Sequence, residues 1–345
     1  MKHLTSLAVA GILAAMAVPA AAMDISGAGA TFPYPIYAKW ADAYKKETGN
    51  GLNYQSIGSG GGIKQIEAST VTFGASDKPL EPTDLKQNGL VQWPQIIGGV
   101  VPVVNIPGIK PGDLVLDGPT LASIYTGEIS RWNDAAIKKL NPSLALPKLD
   151  IAPIYRSDGS GTNFLFTNYL SQVSPGFAKS IGANTSVQWP VGIGAKGNEG
   201  VANQTTQTGG SIGYVEYAYV KQTSMTYARL INREGKTVAP EAKAFQAAAA
   251  NADWGRAEGY YLILTNQPGV ASWPITGASF ILMHADSKDA NTSAALKFFD
   301  WAYKSGQPLA EGLDYVPIPG SVVAQVEKTW QDSLKVNGKP AWPAN

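Results

Sequence analysis

Hydrophobic positions along this chain follow two rhythms in turn. Short, continuous apolar runs of strand length are followed, after a glycine-rich turn, by apolar residues at the spacing of one helical face. Ile151 to Tyr155, interrupted by Pro153, reads as a strand; the turn after it carries Gly159 and Gly161, so Ser160 falls where a helix begins. Asn53 to Ile57 is a second such strand, followed by Gly58-Ser59-Gly60-Gly61-Gly62 and then by Ile63, Ile66 and Ala68 on a helical face. A third case opens the chain, where Gly27-Ala28-Gly29-Ala30-Thr31-Phe32-Pro33 precedes Tyr37, Trp40, Ala41 and Tyr44. That helix should begin between Thr31 and Pro33, since proline is tolerated in a first turn, and stop at Gly49.

The remaining pattern completes an α/β fold. Val71 to Leu80 is a strand running into a turn that carries Asp77. Ile96 to Val104 and Trp273 to Met283 are longer apolar runs, as expected of strands buried on both faces, and read as the crossings between two lobes. With 345 residues the chain exceeds the usual size of one domain. The expected division is 23–101 plus 272–345 for lobe I and 102–271 for lobe II. Leu121 to Tyr125, Trp132 to Leu140 with Asn133 as its cap, Asn291 to Tyr303 and Val322 to Trp330 read as helices, and Ser211 to Val215 as a strand. The turn Gly192 to Gly200 lacks the acidic residue of a dinucleotide fingerprint and reads as structural. No repeat of solenoid period is present.

Composition then narrows the setting. Residues 1–22 have the form of a secretory signal: Lys2 and His3, an apolar middle from Leu4 to Val18, and Ala20-Ala21-Ala22 as a small-residue cleavage site. There is no cysteine, hence neither a disulfide nor a lipid-modified N-terminal Cys. These features predict a freely diffusing periplasmic protein. Removing Lys2 from the 27 basic residues leaves 26 against 26 acidic ones, so the mature chain is near neutral. Bulk electrostatic binding to nucleic acid or anionic membrane is therefore not expected, and any affinity for an anion must sit in a local site.

The three helix starts supply such a site. The first N–H groups of a helix lack internal partners and carry a partial positive charge, which suits an anion. Ser160 and Thr162 add hydroxyl donors, Thr31 and the N–H of Phe32 a second group, and Ser59 a third. Arg156 offers a forked cation and Asp158 is close enough in sequence to hold it. Asp77 repels a fully ionised anion but can accept a hydrogen bond from phosphate, which keeps a P–OH near neutral pH; sulfate has none to offer. Each residue also has a plainer reading: Ser160 and Thr31 as helix caps, Phe32 as a core aromatic, Asp77 as a turn residue or partner of Lys78. The rival class is a secreted phosphatase or serine hydrolase using Ser160. Against it, His284 is the one histidine left after signal removal, Asp-Gly-Ser-Gly-Thr is no nucleophile elbow, and no clustered His and Asp ligands suggest a metal.

These residues resemble one family. Gly-Ala-Gly-Ala-Thr-Phe-Pro, Gly-Ser-Gly-Gly-Gly, Phe-Gly-Ala-Ser-Asp, Arg-Ser-Asp-Gly-Ser-Gly-Thr, Trp-Pro-x-Gly-x-Gly-x-Lys-Gly-Asn and Lys-Phe-Phe-Asp-Trp-Ala-Tyr occur here in the order seen in periplasmic phosphate-binding proteins of high-affinity ABC transporters. The resemblance implies a two-lobe, hinged fold of the type II-like kind with a mixed sheet and flanking helices in each lobe. It implies phosphate contacts at Ala30, Thr31, Phe32, Ser59, Asp77, Arg156, Ser160, Gly161 and Thr162, with Asp158 pairing the arginine. It further implies a monomer without cofactor or metal, delivering inorganic phosphate to two transmembrane permease subunits and an ATPase. Relatives often carry a second serine near Ser59, and alanine where Ser157 stands.

Overall fold

A computed structural model describes residues 24–250 and 252–342. The expected signal lies outside the described residues. Among those described, no helix is long and apolar enough to cross a membrane.

The fold is built on one nine-stranded mixed sheet. Its strands are β1 (Asp24–Gly29), β2 (Gly51–Ser56), β3 (Phe73–Ser76), β4 (Leu90–Val104), β5 (Ala152–Arg156), β6 (Ile193–Ala195), β7 (Ser211–Glu216), β8 (Thr226–Tyr227) and β9 (Thr276–His284). They lie in the order β2-β1-β3-β9-β4-β7-β5-β6, with β8 also on β4. The two halves repeat one scheme. β1 pairs in parallel with β2 and β3, and β5 pairs in parallel with β6 and β7. Beside each trio runs an antiparallel strand, β9 against β3 and β4 against β7. β4 pairs with β9 as far as Gly99 and with β7 from Val100 onward, so it runs through both halves, whereas β9, also expected to cross, pairs only with β3 and with β4 up to Gly99, inside the first half. The carboxyl ends of both trios therefore face the middle of β4, where open α/β sheets bind ligands.

Helices follow the strands where the sequence places them. α1 (Tyr34–Thr48) buries Tyr37, Trp40 and Tyr44 and ends at Gly49 in the left-handed conformation, whose N–H donates to Lys45 O at 2.9 Å. α2 (Ser59–Glu67), α3 (Gly161–Val173) and α4 (Gly197–Gln207) follow β2, β5 and β6. Tyr37, Tyr54, Phe73, Phe299, Trp93 and Trp330 form a run of ring contacts at 4.9 to 6.0 Å through the first half. Burying each such ring contributes about 1.5–3 kcal/mol.

Two expectations change. The helix read from Trp132 begins only at Ala135, because the Asp134 carboxylate accepts from Ala136 N and forms the cap that Asn133 was expected to make. Trp132 instead lies buried before it and donates its indole N–H to Gly210 O at 2.8 Å. Residues 254–260, expected with the second lobe, pack on the first: Gln92 Nε2 donates to Gly259 O at 2.8 Å, and Tyr260 Oη lies 2.8 Å from Thr329 Oγ1.

Candidate functional site

The strand ends converge on one buried cluster. Thr31 follows β1, Ser59 follows β2 and Asp77 follows β3; from the other half come Arg156 at the end of β5, and Ser160, Gly161 and Thr162 at the start of α3. Each named polar residue among them is at most 3% exposed, although Asp77 and Arg156 are ionisable. Among the contacts that join the halves, Gly60 N donates to Gly159 O at 2.9 Å, and Gly161 N donates to Ser59 Oγ at 3.0 Å.

Glycines permit that approach. A Cβ on Gly161 would lie 2.5 Å from Asp77 Cβ and 2.6 Å from Ser59 Oγ. Gly58, with φ of 87°, would place a Cβ 2.3 Å from Asp158 Oδ2, so both its backbone conformation and its surroundings require glycine.

Donors and charge are arranged as an anion seat. The main-chain N–H groups of Phe32, Ser59 and Thr162 find no acceptor among the described residues. Ser160 caps α3, its Oγ accepting from Asn163 N at 3.0 Å, which leaves its own hydrogen free to donate. Arg156 Nε and Nη2 donate to the two Asp158 oxygens at 2.8 and 2.6 Å, while Nη1 is buried without a partner. Burial alone would raise the Asp158 carboxyl. The hydrogen bonds and charge of Arg156, with Gly197 N–H, outweigh it and hold the group below the usual carboxylate range. Arg156 is thus fixed on one edge with the other facing the seat. Ala30 enters as framework: its N–H donates to Ala75 O at 2.9 Å and its carbonyl accepts from Tyr54 Oη at 2.7 Å, leaving no free main-chain donor.

Asp77 is the exception among donors. Both carboxylate oxygens are buried without a hydrogen-bond partner. Burial pushes its pKa up to about 7, against the pull of the Ser279 hydroxyl, Arg156 and the Ser59 hydroxyl. A buried acceptor aimed into a cluster of donors fits a ligand that brings its own hydrogen.

Four further residues shape the cluster. Asn198 donates to Thr31 Oγ1 and Thr162 Oγ1 through Nδ2, at 2.7 and 3.1 Å, and its Oδ1 accepts from Glu216 N at 2.8 Å. Tyr219 Oη donates to Thr31 O at 2.6 Å, which turns the same peptide's Phe32 N–H to the opposite side. Tyr315 Oη lies 2.6 Å from Phe32 O and 2.8 Å from Glu216 Oε2. The tyrosine hydroxyl has both as acceptors, and Glu216 Oε2 also accepts from Ala218 N at 2.8 Å. Burial raises the Glu216 carboxyl well above the usual range, against the hydrogen bonds it accepts from Tyr315 and Ala218 N. The turn read as structural, Gly192 to Gly200, supplies Asn198; its strand–turn–helix form was the available signal. Nothing local marks Tyr219, Glu216 or Tyr315, which reach the site only through tertiary packing.

Comparison with known proteins gives this geometry a relation. The family model described as "PBP superfamily domain" matches residues 14–305. The phosphate-binding protein PstS of Xylella fastidiosa (strain 9a5c) is 54% identical over 314 residues, covering 91% of this chain and 86% of that one. The PstS of Pasteurella multocida (strain Pm70) is 52% identical over 333 residues, covering 96% of this chain and 97% of that one.

This chain belongs to the phosphate-binding protein family.

The fold agrees: the crystal structure of a phosphate-binding protein from Stenotrophomonas maltophilia superposes with a TM-score of 0.68 at 21% identity, covering 93% of this chain and 98% of that one. Like other phosphate-binding proteins it is a two-lobed α/β molecule. His284, the histidine on which a hydrolase reading would draw, is held at the end of β9 by Ile66 O and Ser69 Oγ, at 2.7 and 3.0 Å.

Proposed function

We propose that this protein captures inorganic phosphate between its two lobes in the periplasm and delivers it to an ABC importer made of permease subunits and an ATPase. The lobes divide within β4 near Gly99, with 254–260 assigned to lobe I. Phosphate accepts from the N–H groups of Phe32, Ser59 and Thr162, from the hydroxyls of Thr31, Ser59, Ser160 and Thr162, and from Arg156, while Gly161, whose N–H donates to Ser59 Oγ, closes the seat. Its remaining hydrogen goes to Asp77.

The observation that carries this reading is the pair of unpartnered Asp77 oxygens inside a buried ring of donors. An unprotonated anion meets repulsion there with nothing to offset it. Relatives named phosphate-binding proteins support the ligand, and the capped, histidine-free setting of Ser160 supports capture without hydrolysis. Isothermal titration of the mature protein should give one-to-one phosphate binding and little sulfate binding. Equal affinity for the two anions contradicts the role of Asp77, and hydrolysis of a chromogenic phosphate ester that is lost in Ser160→Ala contradicts the assignment as a carrier.

A further inference from the structure

Two tyrosine hydroxyls converge on Phe32 from outside the seat. The Phe32 N–H belongs to the peptide whose carbonyl is Thr31 O, and Tyr219 Oη donates to that carbonyl at 2.6 Å. The next carbonyl, Phe32 O, lies 2.6 Å from Tyr315 Oη. That second peptide joins Phe32 to Pro33 and has no N–H, so its carbonyl is the one group by which a hydrogen bond can fix it. The peptides on both sides of the Phe32 Cα are thus held. The Tyr315 ring also meets the Phe32 ring edge-on, with centroids 6.3 Å apart.

The two hydroxyls come from opposite halves. Tyr219 lies on α5 (Tyr217–Gln222), which follows β7 of the second half. Tyr315 precedes Val316, whose N–H and carbonyl bond to Ile97, in the part of β4 that pairs with β9 in the first half. Glu216 joins them. It stands opposite Val100, where β4 changes partner; its Oε2 accepts from Ala218 N at 2.8 Å, capping α5, and the same oxygen lies 2.8 Å from Tyr315 Oη. Asn198 binds this corner to Thr31 again, accepting from Glu216 N at 2.8 Å and donating to Thr31 Oγ1 at 2.7 Å. Lys221, also on α5, forms an ion pair with Asp314, the residue before Tyr315. The corner at the end of β7 therefore grips both Thr31 and the segment that carries Tyr315.

We propose that Tyr219, Tyr315 and Glu216 are positioning residues for phosphate: together they aim and polarise the Phe32 N–H, so that a donor of the first half is completed by a corner of the second. This rests on the reading of the seat as a phosphate site between the lobes. A carbonyl that accepts a hydrogen bond makes the N–H of the same peptide a stronger donor, and a buried setting strengthens the effect. Tyr219 is 6% exposed, Tyr315 1% and Glu216 0%, so these bonds lie inside the protein. None of the three is itself a phosphate contact. Packing alone would account for the two rings, but not for two hydroxyls placed on successive carbonyls by elements from different halves.

The consequence is measurable at the amide itself. The mature protein, isotopically labelled at phenylalanine and threonine nitrogens, is titrated with inorganic phosphate as wild type, Tyr219→Phe, Tyr315→Phe, Glu216→Ala and Glu216→Gln, with thermal unfolding of each to establish folding. In the wild type, phosphate should move the Phe32 and Thr162 amide protons downfield. Tyr219→Phe, which removes a single oxygen, should at least halve the Phe32 shift and leave that of Thr162 in place. Stopped-flow measurement should show phosphate leaving this variant about three- to tenfold faster, the size of one lost buried hydrogen bond, with association unchanged within about twofold. Tyr315→Phe should act in the same direction more weakly, and serves if Tyr219→Phe does not fold. Glu216→Ala should follow Tyr315→Phe, while Glu216→Gln, which keeps an oxygen acceptor, should lie closer to wild type. A Phe32 shift retained in both tyrosine variants, or lost equally at Phe32 and Thr162, overturns the positioning role and leaves the phosphate seat standing. A wild type that binds phosphate without moving the Phe32 amide overturns that role together with the Phe32 contact, and one that binds no phosphate overturns the seat as well.

Discussion

Replacing Gly161 with alanine separates closure from folding. The added methyl carbon would sit 2.5 Å from Asp77 Cβ, 2.6 Å from Ser59 Oγ and 2.7 Å from Asp77 N. Ordinary contact needs about 3.5–4 Å between carbons, and two of the three obstacles are not the far ends of flexible side chains. The lobes must therefore stay about 1 Å further apart, which lengthens the 3.0 Å bond from Gly161 N to Ser59 Oγ and draws α3 away from the seat. Two to three charge-assisted bonds to the ligand weaken together, so phosphate affinity should fall by about 3 kcal/mol, on the order of a hundredfold. The open form has no such clash, and alanine is the better residue in a helix by up to about 1 kcal/mol, so the ligand-free melting temperature should hold or rise. Calorimetric titration with phosphate, paired with thermal unfolding in phosphate-free buffer, reads both quantities. A variant that binds within threefold of wild type refutes the close approach of the lobes. As a control, Gly320→Ala meets nothing within 4 Å and should be silent.

Other perturbations test separate parts of the site. Arg156→Ala should weaken phosphate by about 1.5–3 kcal/mol, roughly ten- to a hundredfold, in the same titration, and should also lower thermal stability by leaving the mostly buried Asp158 carboxylate unpaired. Arg156→Lys should recover only part of the affinity, since an ammonium lacks the fork that holds Asp158 and ligand together. Ligand-free stability should depend on pH through Asp77. Its folded pKa, about 7, exceeds the ordinary 3.8, so between these values the folded state binds the extra proton and stability falls as pH rises. The difference of about three units is worth about 4 kcal/mol, and Glu216, raised in the same direction, adds to the sign of the effect. Melting temperatures at pH 5 and pH 8 should show the acid side more stable, with the gap reduced in Asp77→Asn; equal melting temperatures in the wild type contradict a buried, unpaired Asp77.

The helix starts were legible because local chemistry decides them. A strand-length apolar run, glycines and a hydroxyl residue before a helical face placed Ser59 and Ser160 where α2 and α3 begin, and Pro33 with Gly49 bracketed α1. The later part of β4, Ile96 to Val104, was legible from its apolar run, while Leu90 to Gln95, broken by Gln92, Pro94 and Gln95, was not, nor was the double pairing, because register depends on partners far along the chain. The likeness of the two halves was equally hidden: it lies in strand order and helix placement, while the residues at matching positions differ, Asp77 after β3 and Glu216 at the end of β7. Ala30 has a bond that sequence alone does not announce. Its place in a recognised motif suggested a contact, while its N–H completes a bond to Ala75 that no local pattern announces.

The central claim, that a protonated tetrahedral anion is held by free amides and Arg156 with its hydrogen read by Asp77, is tested most directly by a crystal structure of the mature protein grown with phosphate. The prediction is one phosphate between the lobes, with an oxygen within about 2.7 Å of an Asp77 carboxylate oxygen and the others within hydrogen-bonding distance of Phe32 N, Ser59 N, Thr162 N and Arg156 Nη1. A phosphate seated elsewhere, or one whose oxygens turn away from Asp77, contradicts it.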